Sequence, residues 1–278
     1  MRIVKSASKH YSPLRYPGGK SSLAGFIASL IEDNNIKNCN YVEPYAGGAG
    51  AALTLLFLEK VESIVINDLD RAIYSFWKSV LQKTDEFVDR IYNATLTIEE
   101  WEKQRAVYYS RTAKQLDIGF AAFYLNRTNR SGIIEAGPIG GMNQTGEWGI
   151  DARFNKAGLI DRITNIASYK SRIVVSNQDG IELLQKVHRD KNTFVYLDPP
   201  YYAKGSSLYL NHYVQKNHTH LAEFLNRHNK FYWMLTYDNL NQIKELYKDR
   251  RQYEFGLFYH IDLPRTGKEV LILSDKIN

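Results

Sequence analysis

The most specific chemical pattern in the sequence is YLDPPYY, residues 196–202, where an acid and two prolines follow a hydrophobic run. The prolines restrict the backbone, so the Asp198 carboxylate and the Pro199 carbonyl would be fixed as hydrogen-bond acceptors beside an aromatic ring. Two acceptors and a ring suit an exocyclic amine on a planar base, because the acceptors can take both N–H groups. An ordinary proline turn is the alternative interpretation.

Two glycine-rich segments could hold a ligand. The first, RYPGGK, looks like a phosphate loop, but such a loop has a glycine six residues before its lysine, and Leu14 stands there. The second, EPYAGGAG, lies between a predicted strand and a helix, and Asp68 ends the next predicted strand. This order is typical of nucleotide-like ligand sites, in which the acid binds ribose hydroxyls. An N-cap of the following helix is the alternative role for Asp68.

The elements that must position these residues follow an α/β pattern at both ends of the 278-residue chain. Hydrophobic runs such as SIVIN, RIVVS, TFVYL and FYWML predict strands, and the apolar spacing between them predicts helices. Near the end, EFGLFYHI and EVLILSD predict an antiparallel pair joined through residues 262–268. The length suits one large α/β domain, alone or with a smaller inserted domain.

The middle of the chain differs in composition. It begins helical and then becomes rich in glycine and asparagine, as in SGIIEAGPIGGMNQTGEWG, which favours a hairpin or an extended loop. Residues 103–172 hold eleven Lys and Arg against five Asp and Glu, an excess equal to the net charge of +6 of the whole chain. This concentrated charge is compatible with a polyanionic partner.

The remaining composition narrows the class of protein. Cys39 is the only cysteine in the sequence, which excludes an internal disulfide and a cysteine metal cluster. The first residues lack an apolar run of signal-peptide length, and the longest apolar stretch is too short to cross a bilayer. We therefore expect a soluble, cytoplasmic protein with no membrane contact and no metal.

Taken in order, the motifs RYPGGK, EPYAGGAG, INDLD, LNRTNRSG, DPPYY, LTYDN and RTGKEVLIL resemble those of the Dam-like, D12 class of N6-adenine DNA methyltransferases over nearly the whole chain. The resemblance implies an α/β fold, with a Rossmann-like S-adenosylmethionine-dependent methyltransferase sheet and an inserted, mostly helical DNA-recognition domain carrying a hairpin. Residues 1–83 and 172–278 would form the catalytic domain, and residues 84–171 the target-recognition domain.

The resemblance also implies roles for individual residues. The catalytic residues would be Asp198, Pro199, Pro200 and Tyr201. The residues that bind S-adenosylmethionine would be Tyr16, Lys20, Glu43, Tyr45, Gly47, Gly48, Gly50, Asp68, Asp179 and Asp198. The DNA-binding residues would be Arg15, Arg127, Asn129, Arg130, Asn143 and Arg153.

The implied reaction is methylation of the N6 amine of an adenine flipped out of double-stranded DNA, with Tyr201 or Tyr202 stacked on the base. The segment after Glu147 departs from the family's Asn-Val-Pro ending, so no target sequence is transferred. A separately encoded restriction endonuclease is a candidate partner, and a monomer is the expected state because one strand is methylated at a time.

Three other functions stay open at this point. They are methylation of another amine (cytosine N4, RNA or a protein amide), DNA binding without catalysis, and nucleotide hydrolysis. The acid at position 198 favours adenine by resemblance, and the three residues Lys20, Asp68 and Asp198 argue against a non-enzymatic protein. Leu14 argues against a nucleotide hydrolase.

Overall fold

The computed structural model describes residues 10–16, 19–201, 215–261 and 263–278. Within these ranges, every helix is too short or too polar to traverse a bilayer. The chain divides into two compact units: one comprises Lys20–Leu69 and Arg172–Asn278, and the other His10–Gly19 and Asp70–Ser171.

The first unit is built on a seven-stranded sheet. Its strands are β1 Asn40–Glu43, β2 Ser63–Asn67, β3 Ile173–Ser176, β4 Thr193–Leu197, β5 Tyr232–Asp238, β6 Arg251–Ile261 and β7 Leu263–Leu273. The order across the sheet is β3-β2-β1-β4-β5-β7-β6. Strands β1 to β5 pair in parallel, whereas β7 is antiparallel to both β5 and β6. This arrangement confirms the expected Rossmann-like α/β class.

Helices and strands of the first unit share a hydrophobic core. The helices are α1 Ala24–Asp33, α2 Gly50–Phe57, α8 Gly180–Val187, α9 Gln215–Arg227 and α10 Asn241–Leu246, with a 3₁₀ turn at Lys20–Leu23. Alternate residues of the central strands, such as Val195 and Trp233, pack with Leu184 of α8 and Leu225 of α9. Because successive strand residues face opposite ways, their neighbours in sequence point to the other face of the sheet.

The strand order places two predicted loops side by side. Strand β1 lies between β2 and β4, so the order in which the chain fills the sheet reverses between β1 and β4. In open parallel sheets, ligands bind in the crevice at the carboxyl ends of the strands at such a point. The glycine loop after β1 and the DPPY segment after β4 both begin at this edge.

The terminal antiparallel pair is longer than the sequence predicted. Strands β6 and β7 pair from Arg251 opposite Leu273 to Ile261 opposite Leu263. Residues 263–268, which were expected to belong to the connection, are therefore part of β7. Pro264 and Gly267 lie in the part of β7 that pairs only with β6, beyond its pairing with β5. Proline and glycine are tolerated more easily there than in the middle of a sheet.

The second unit contains five helices: α3 Arg71–Gln82, α4 Thr84–Asn93, α5 Ile98–Tyr109, α6 Gln115–Thr128 and α7 Lys156–Ser168. Its core holds an aromatic cluster in which Phe76, Phe87 and Phe123 have ring centroids 5.5–5.9 Å apart. Since α3 contributes Phe76 to this cluster, it belongs to the compact unit that includes Asp70–Ser171. The functional boundary between a catalytic and a recognition domain, expected at residues 83 and 84, stays a prediction.

The expected hairpin does not form as a pair of strands. Residues 133–154 are turns and loops, closed at one end by a single β-bridge between Asn129 and Pro138. Gly140, Gly141 and Gln144 have positive φ angles, which lie outside the β region that a longer ladder requires. The backbone angles at these residues therefore limit the strand pairing in this segment to one bridge.

The contact between α3 and α6 leads to a test of the second unit. A Cβ atom built on Gly119 of α6 would lie 2.6 Å from the Ser75 carbonyl oxygen and 2.8 Å from the Phe76 nitrogen. We expect Gly119→Ala to force the two helices apart and lower the free energy of unfolding by about 1–3 kcal/mol. Chemical denaturation checks this, with Gly25→Ala as the control, because no atom lies within 4 Å of a Cβ built there. Equal stability of both variants would contradict it.

Candidate active site

Both carboxylate oxygens of Asp198 are held by neighbouring side chains. Asp198 follows the last residue of β4; its Oδ1 accepts a hydrogen bond from Thr236 Oγ1 on β5 at 2.9 Å. Its Oδ2 lies 3.1 Å from Lys20 Nζ. The Tyr196 hydroxyl lies 2.7 Å from Thr236 Oγ1 and supports that residue in turn. The side chain remains 24% exposed, so the orientation of the carboxylate is fixed while one side stays open to a ligand.

Lys20 is a buried cation among acceptors. It opens the 3₁₀ turn before α1 and is only 6% exposed. Besides Asp198, its Nζ contacts the Tyr201 hydroxyl at 2.7 Å and Glu269 Oε1 at 3.4 Å. The side chain therefore joins the DPPY segment to β7; its expected contact with the cofactor stays a prediction.

Tyr201 is oriented by its hydroxyl group. The hydroxyl donates a hydrogen bond to Glu269 Oε1 and accepts one from Lys20 Nζ. Burial, with the nearby charges of Asp198 and Glu269, raises the pKa of the phenol far above its usual value. The ring consequently stays neutral and is held in place. Tyr202, the other residue expected to stack on a base, lies outside the described residues.

Glu269 is a member of this cluster that the sequence interpretation missed. It lies on β7 opposite Asp238 of β5 and is 1% exposed. Burial raises the pKa of its carboxyl to about 7, although Lys20 partly opposes the shift. A signal was available in EVLIL: Val270 and Ile272 belong to the hydrophobic core, so the alternation of the strand places Glu269 on the opposite face.

The glycine loop after β1 is tied to the end of β2. Gly47 has a φ of 47°, a left-handed conformation that glycine adopts readily. Its N–H donates to Asp68 Oδ2 at 2.9 Å, and Asn67 Nδ2 donates to the Pro44 carbonyl at 2.8 Å. The cap of α3 is instead Asp70, which accepts from Ala72 N at 2.7 Å. The alternative role considered for Asp68 therefore belongs to Asp70.

Glu43, the last residue of β1, stabilises the start of the helix that follows the glycine loop. Its Oε1 accepts hydrogen bonds from the Tyr41 hydroxyl and from the Ala52 N–H, both at 2.9 Å. Burial raises the pKa of this carboxyl to about 8, so it is mainly protonated at neutral pH. Gly50 begins α2, with Gly48 two residues before it. The contacts of Glu43 fix the start of α2, and its direct contact with the cofactor stays a prediction.

Tyr45 and Gly180 meet closely at the same edge of the sheet. A Cβ atom at Gly180 would collide with the Tyr45 hydroxyl oxygen and lie 2.5 Å from Cζ and 2.8 Å from Cε1 of the ring. Asp179 caps α8 by accepting hydrogen bonds from Ile181 N at 2.8 Å and Glu182 N at 3.4 Å. Tyr45 and Asp179, both expected to bind the cofactor, are thus neighbours through Gly180.

This close approach leads to a prediction. Gly180→Ala is expected to displace the Tyr45 ring, because the hydroxyl is the far end of a side chain that can rotate away. If Tyr45 contacts the methyl donor, we expect affinity for S-adenosylmethionine to fall about tenfold, corresponding to roughly 1.4 kcal/mol. Isothermal titration calorimetry of the folded variant measures this, and Gly25→Ala is the control. Unchanged affinity would remove Tyr45 from the donor site.

Arg15 and Tyr16 belong to the second unit. The Arg15 backbone pairs with the Asn126 amide, which accepts from Arg15 N at 2.7 Å and donates to its carbonyl at 2.8 Å. The Arg15 guanidinium donates to the Asn129 carbonyl at 3.1 Å. The Tyr16 carbonyl accepts from Gly19 N at 3.1 Å. DNA contact by Arg15 and cofactor contact by Tyr16 stay predictions.

Four arginines of the second unit lie near one another. The Arg127 guanidinium donates a hydrogen bond to the Arg153 carbonyl, and Arg162 donates to the Ser12 carbonyl at 3.0 Å. Burial lowers the pKa of Arg127 to about 9, and repulsion from Arg15, Arg162 and Arg153 contributes. Such a concentration of like charge favours an anionic partner. Arg162 was not among the residues that the sequence assigned to DNA.

The other predicted DNA contacts differ in exposure. Arg130 and Asn143 are exposed, as is Arg153. Asn129 is buried: its Oδ1 accepts from Trp101 Nε1 at 2.6 Å, and its Nδ2 donates to two backbone carbonyls that follow it. These bonds favour a structural role, in which Asn129 closes the turn after α6. A DNA contact by this residue stays a prediction.

The sequence is similar to known DNA-modifying proteins. The profile of a family described as D12 class N6 adenine-specific DNA methyltransferase matches residues 16–261. The Type II methyltransferase M.MjaIII of Methanocaldococcus jannaschii is 24% identical over 211 residues, which cover 68% of each protein. The Type II methyltransferase M.CviBI of Paramecium bursaria Chlorella virus NC1A is 23% identical over 274 residues, which cover 92% of this chain and 95% of the viral protein.

The matched region contains the glycine loop, Asp68 and the DPPY segment, which the fold brings to one unit. The match confirms the resemblance that these motifs predicted and the enzyme class that it implied. The chain belongs to the D12 class of N6-adenine-specific DNA methyltransferases.

Proposed function

We propose that the chain transfers a methyl group from S-adenosylmethionine to the N6 amine of an adenine flipped out of duplex DNA. The observation that carries the proposal is the position of Asp198: it directly follows β4 at the switch point of the sheet, is held at both oxygens, and lies beside the oriented Tyr201 ring. An oriented acceptor next to an aromatic ring matches the amine edge and the flat face of a base.

The chemistry demands such an acceptor. The N6 electron pair is delocalised into the adenine ring, which makes the amine a poor nucleophile. Hydrogen bonds from N6 to Asp198 and to the Pro199 carbonyl would localise that pair and stabilise the positive charge that develops on N6. Because Thr236 and Lys20 orient the Asp198 carboxylate in advance, much of the rate gain would come from positioning.

The loops at the carboxyl ends of β1 and β2 have features suited to binding the methyl donor. Gly47 allows the backbone to approach a ligand closely, and Asp68 lies at the end of β2, where an acid binds ribose hydroxyls. When bound, S-adenosylmethionine supplies an electrophilic methyl group. Residues of the 43–50 loop and Asp68 would hold it next to Asp198.

Duplex DNA would have to release its target base. Asp198 lies at the carboxyl ends of the parallel strands and cannot reach an amine inside a stacked duplex. The adenine would therefore flip out at a cost of about a few kcal/mol. Stacking on Tyr201 is worth about 1–3 kcal/mol. The group of Arg15, Arg127, Arg153 and Arg162 would contact DNA phosphates and make the affinity dependent on salt.

The two relatives are named as Type II methyltransferases, which supports a modification role paired with a separately encoded restriction endonuclease. A monomer suffices for methylation of one strand, and the cytoplasm is the compartment in which such a protein would meet DNA.

A direct assay tests the proposal. The purified chain is incubated with labelled S-adenosylmethionine and a library of duplexes, and the modified base and its flanking sequence are mapped by digestion and mass spectrometry. The proposal requires N6-methyladenine at a defined sequence. Label on cytosine N4, on RNA or on protein would support one of the other amines, and absence of label on DNA would refute the proposal.

A further inference from the structure

Two donors converge on one oxygen of Glu269. The Tyr201 hydroxyl donates to Oε1, and Lys20 Nζ lies 3.4 Å from the same atom. Lys20 also contacts Asp198 at 3.1 Å. Glu269 therefore reaches the two residues of the DPPY segment that would meet the base, one directly and one through Lys20.

Lys20 lies between two acids, in contact with both Asp198 and Glu269. These three side chains together carry a net charge of about −1 when both acids are ionised. Lys20 and Glu269 are nearly excluded from water, at 6% and 1% exposure. In such surroundings a charge acts more strongly than it does in water.

We infer that Glu269 is a positioning residue for methyl transfer: it orients Tyr201 and Lys20, and its charge keeps the surroundings of Asp198 negative. The inference rests on the proposed function. During transfer, the N6 electron pair forms a bond to the methyl carbon while the bond to the donor breaks and its electrons leave with the donor. N6 carries a positive charge until one of its protons passes to water. Negative surroundings stabilise that charge.

A pH profile separates this role from mere packing. Among the residues that the structure describes, the titratable groups that face Glu269 include Lys20, Asp198, Tyr201 and Tyr196, and Asp238 lies opposite it on β5. With its pKa at about 7, Glu269 takes up a proton as the pH falls below that value. The site then loses its excess negative charge, so kcat is expected to fall on the acidic side.

The test compares Glu269→Gln with the wild type in steady-state assays across pH 5.5 to 9. Glutamine keeps the shape and an oxygen acceptor for Tyr201 but removes the charge. We expect kcat to fall about tenfold to a hundredfold, with KM for DNA and for the donor within about threefold, because the charge acts in the transition state. The acidic limb near pH 7 should disappear. Glu254→Gln, an exposed position on the neighbouring strand, is the matched control.

Each outcome is decisive. Wild-type kcat and an unchanged acidic limb in Glu269→Gln would overturn the inference, as would a loss confined to KM. Thermal unfolding and DNA binding show whether the variant is folded; if it is not, Glu269→Asp is used, which keeps the charge and is expected to retain more activity than Glu269→Ala. Equal loss in those two variants would also overturn the inference. Absence of N6-methyladenine with the wild type would instead refute the proposed function.

Discussion

Asp198→Ala is expected to lower kcat for methyl transfer by at least about a thousandfold, because the change removes both a fixed acceptor and the negative charge closest to N6. The affinity for duplex DNA should stay within about threefold, since the proposed phosphate contacts from arginine would supply most of it. Single-turnover transfer of labelled methyl groups measures the first quantity, and fluorescence anisotropy with a labelled duplex measures the second.

Two further variants sharpen this result. Asp198→Asn keeps the size of the side chain and the contact with Thr236 but removes the charge that pairs with Lys20, so it separates the effect of charge from that of shape. Asp249→Ala, at an exposed position in the same unit, is the control and should behave as the wild type. Transfer by Asp198→Ala at a rate near that of the wild type would show that the acceptor lies elsewhere.

Lys20→Met is expected to affect both stability and catalysis. Methionine fills a similar volume, but it leaves Asp198 and Glu269 without the cation that lies between them. Removing one partner of a buried pair costs about 3–5 kcal/mol; because Asp198 is 24% exposed, we expect about 3 kcal/mol or less. Denaturant unfolding measures the change, and kcat should fall at least tenfold.

The loss of stability in Lys20→Met should depend on pH. Without the cation, the pKa of Glu269 rises further above its value in the unfolded chain, because burial already raises it. A carboxyl whose pKa is raised by folding favours the folded state at low pH, and this contribution is lost as the pH rises through the folded pKa. The variant should therefore be closest to the wild type in stability below pH 7 and furthest from it above pH 7.

The same variant distinguishes two roles for the lysine. The resemblance implied that Lys20 binds S-adenosylmethionine, and if that is its main role, affinity for S-adenosylmethionine would fall while stability changed little. The contacts of Lys20 with Asp198 and Glu269 predict the opposite pattern. Lys216→Met on α9, an exposed position, is the control. Wild-type stability of Lys20→Met at pH 8 would contradict the structural role.

Local sequence was sufficient for the parts of the site that a single strand positions. The run TFVYL is buried along its whole length as β4, and Asp198 follows it, as the spacing predicted. Gly47 lies in the predicted turn between a strand and a helix, and the structure gives it a positive φ. Both features depend on residues within a few positions of one another, which is why the sequence alone could predict them.

Features that depend on distant pairing escaped prediction. Glu269 reaches Lys20 only because β7 lies antiparallel between β5 and β6. The sequence does not reveal this order of the strands. The assignment of α3 to the second unit depends on Gly119, which lets α6 approach Ser75. The glycines after α6 favoured a hairpin or an extended loop, and their backbone angles decide for loops with one bridge. In each case the deciding contact lies far away in the chain or depends on backbone angles.

The separation of Lys20 and Glu269, which are 249 residues apart, also has a consequence for synthesis. The five helices of the second unit end at Ser168, about a hundred residues before Glu269 leaves the ribosome. At about 5–20 residues per second, those helices can fold roughly 5–20 s before the strand that carries Glu269 exists. A chain released in that interval can contain all five of these helices but lacks Glu269, one of the two acids that contact Lys20 in the folded protein.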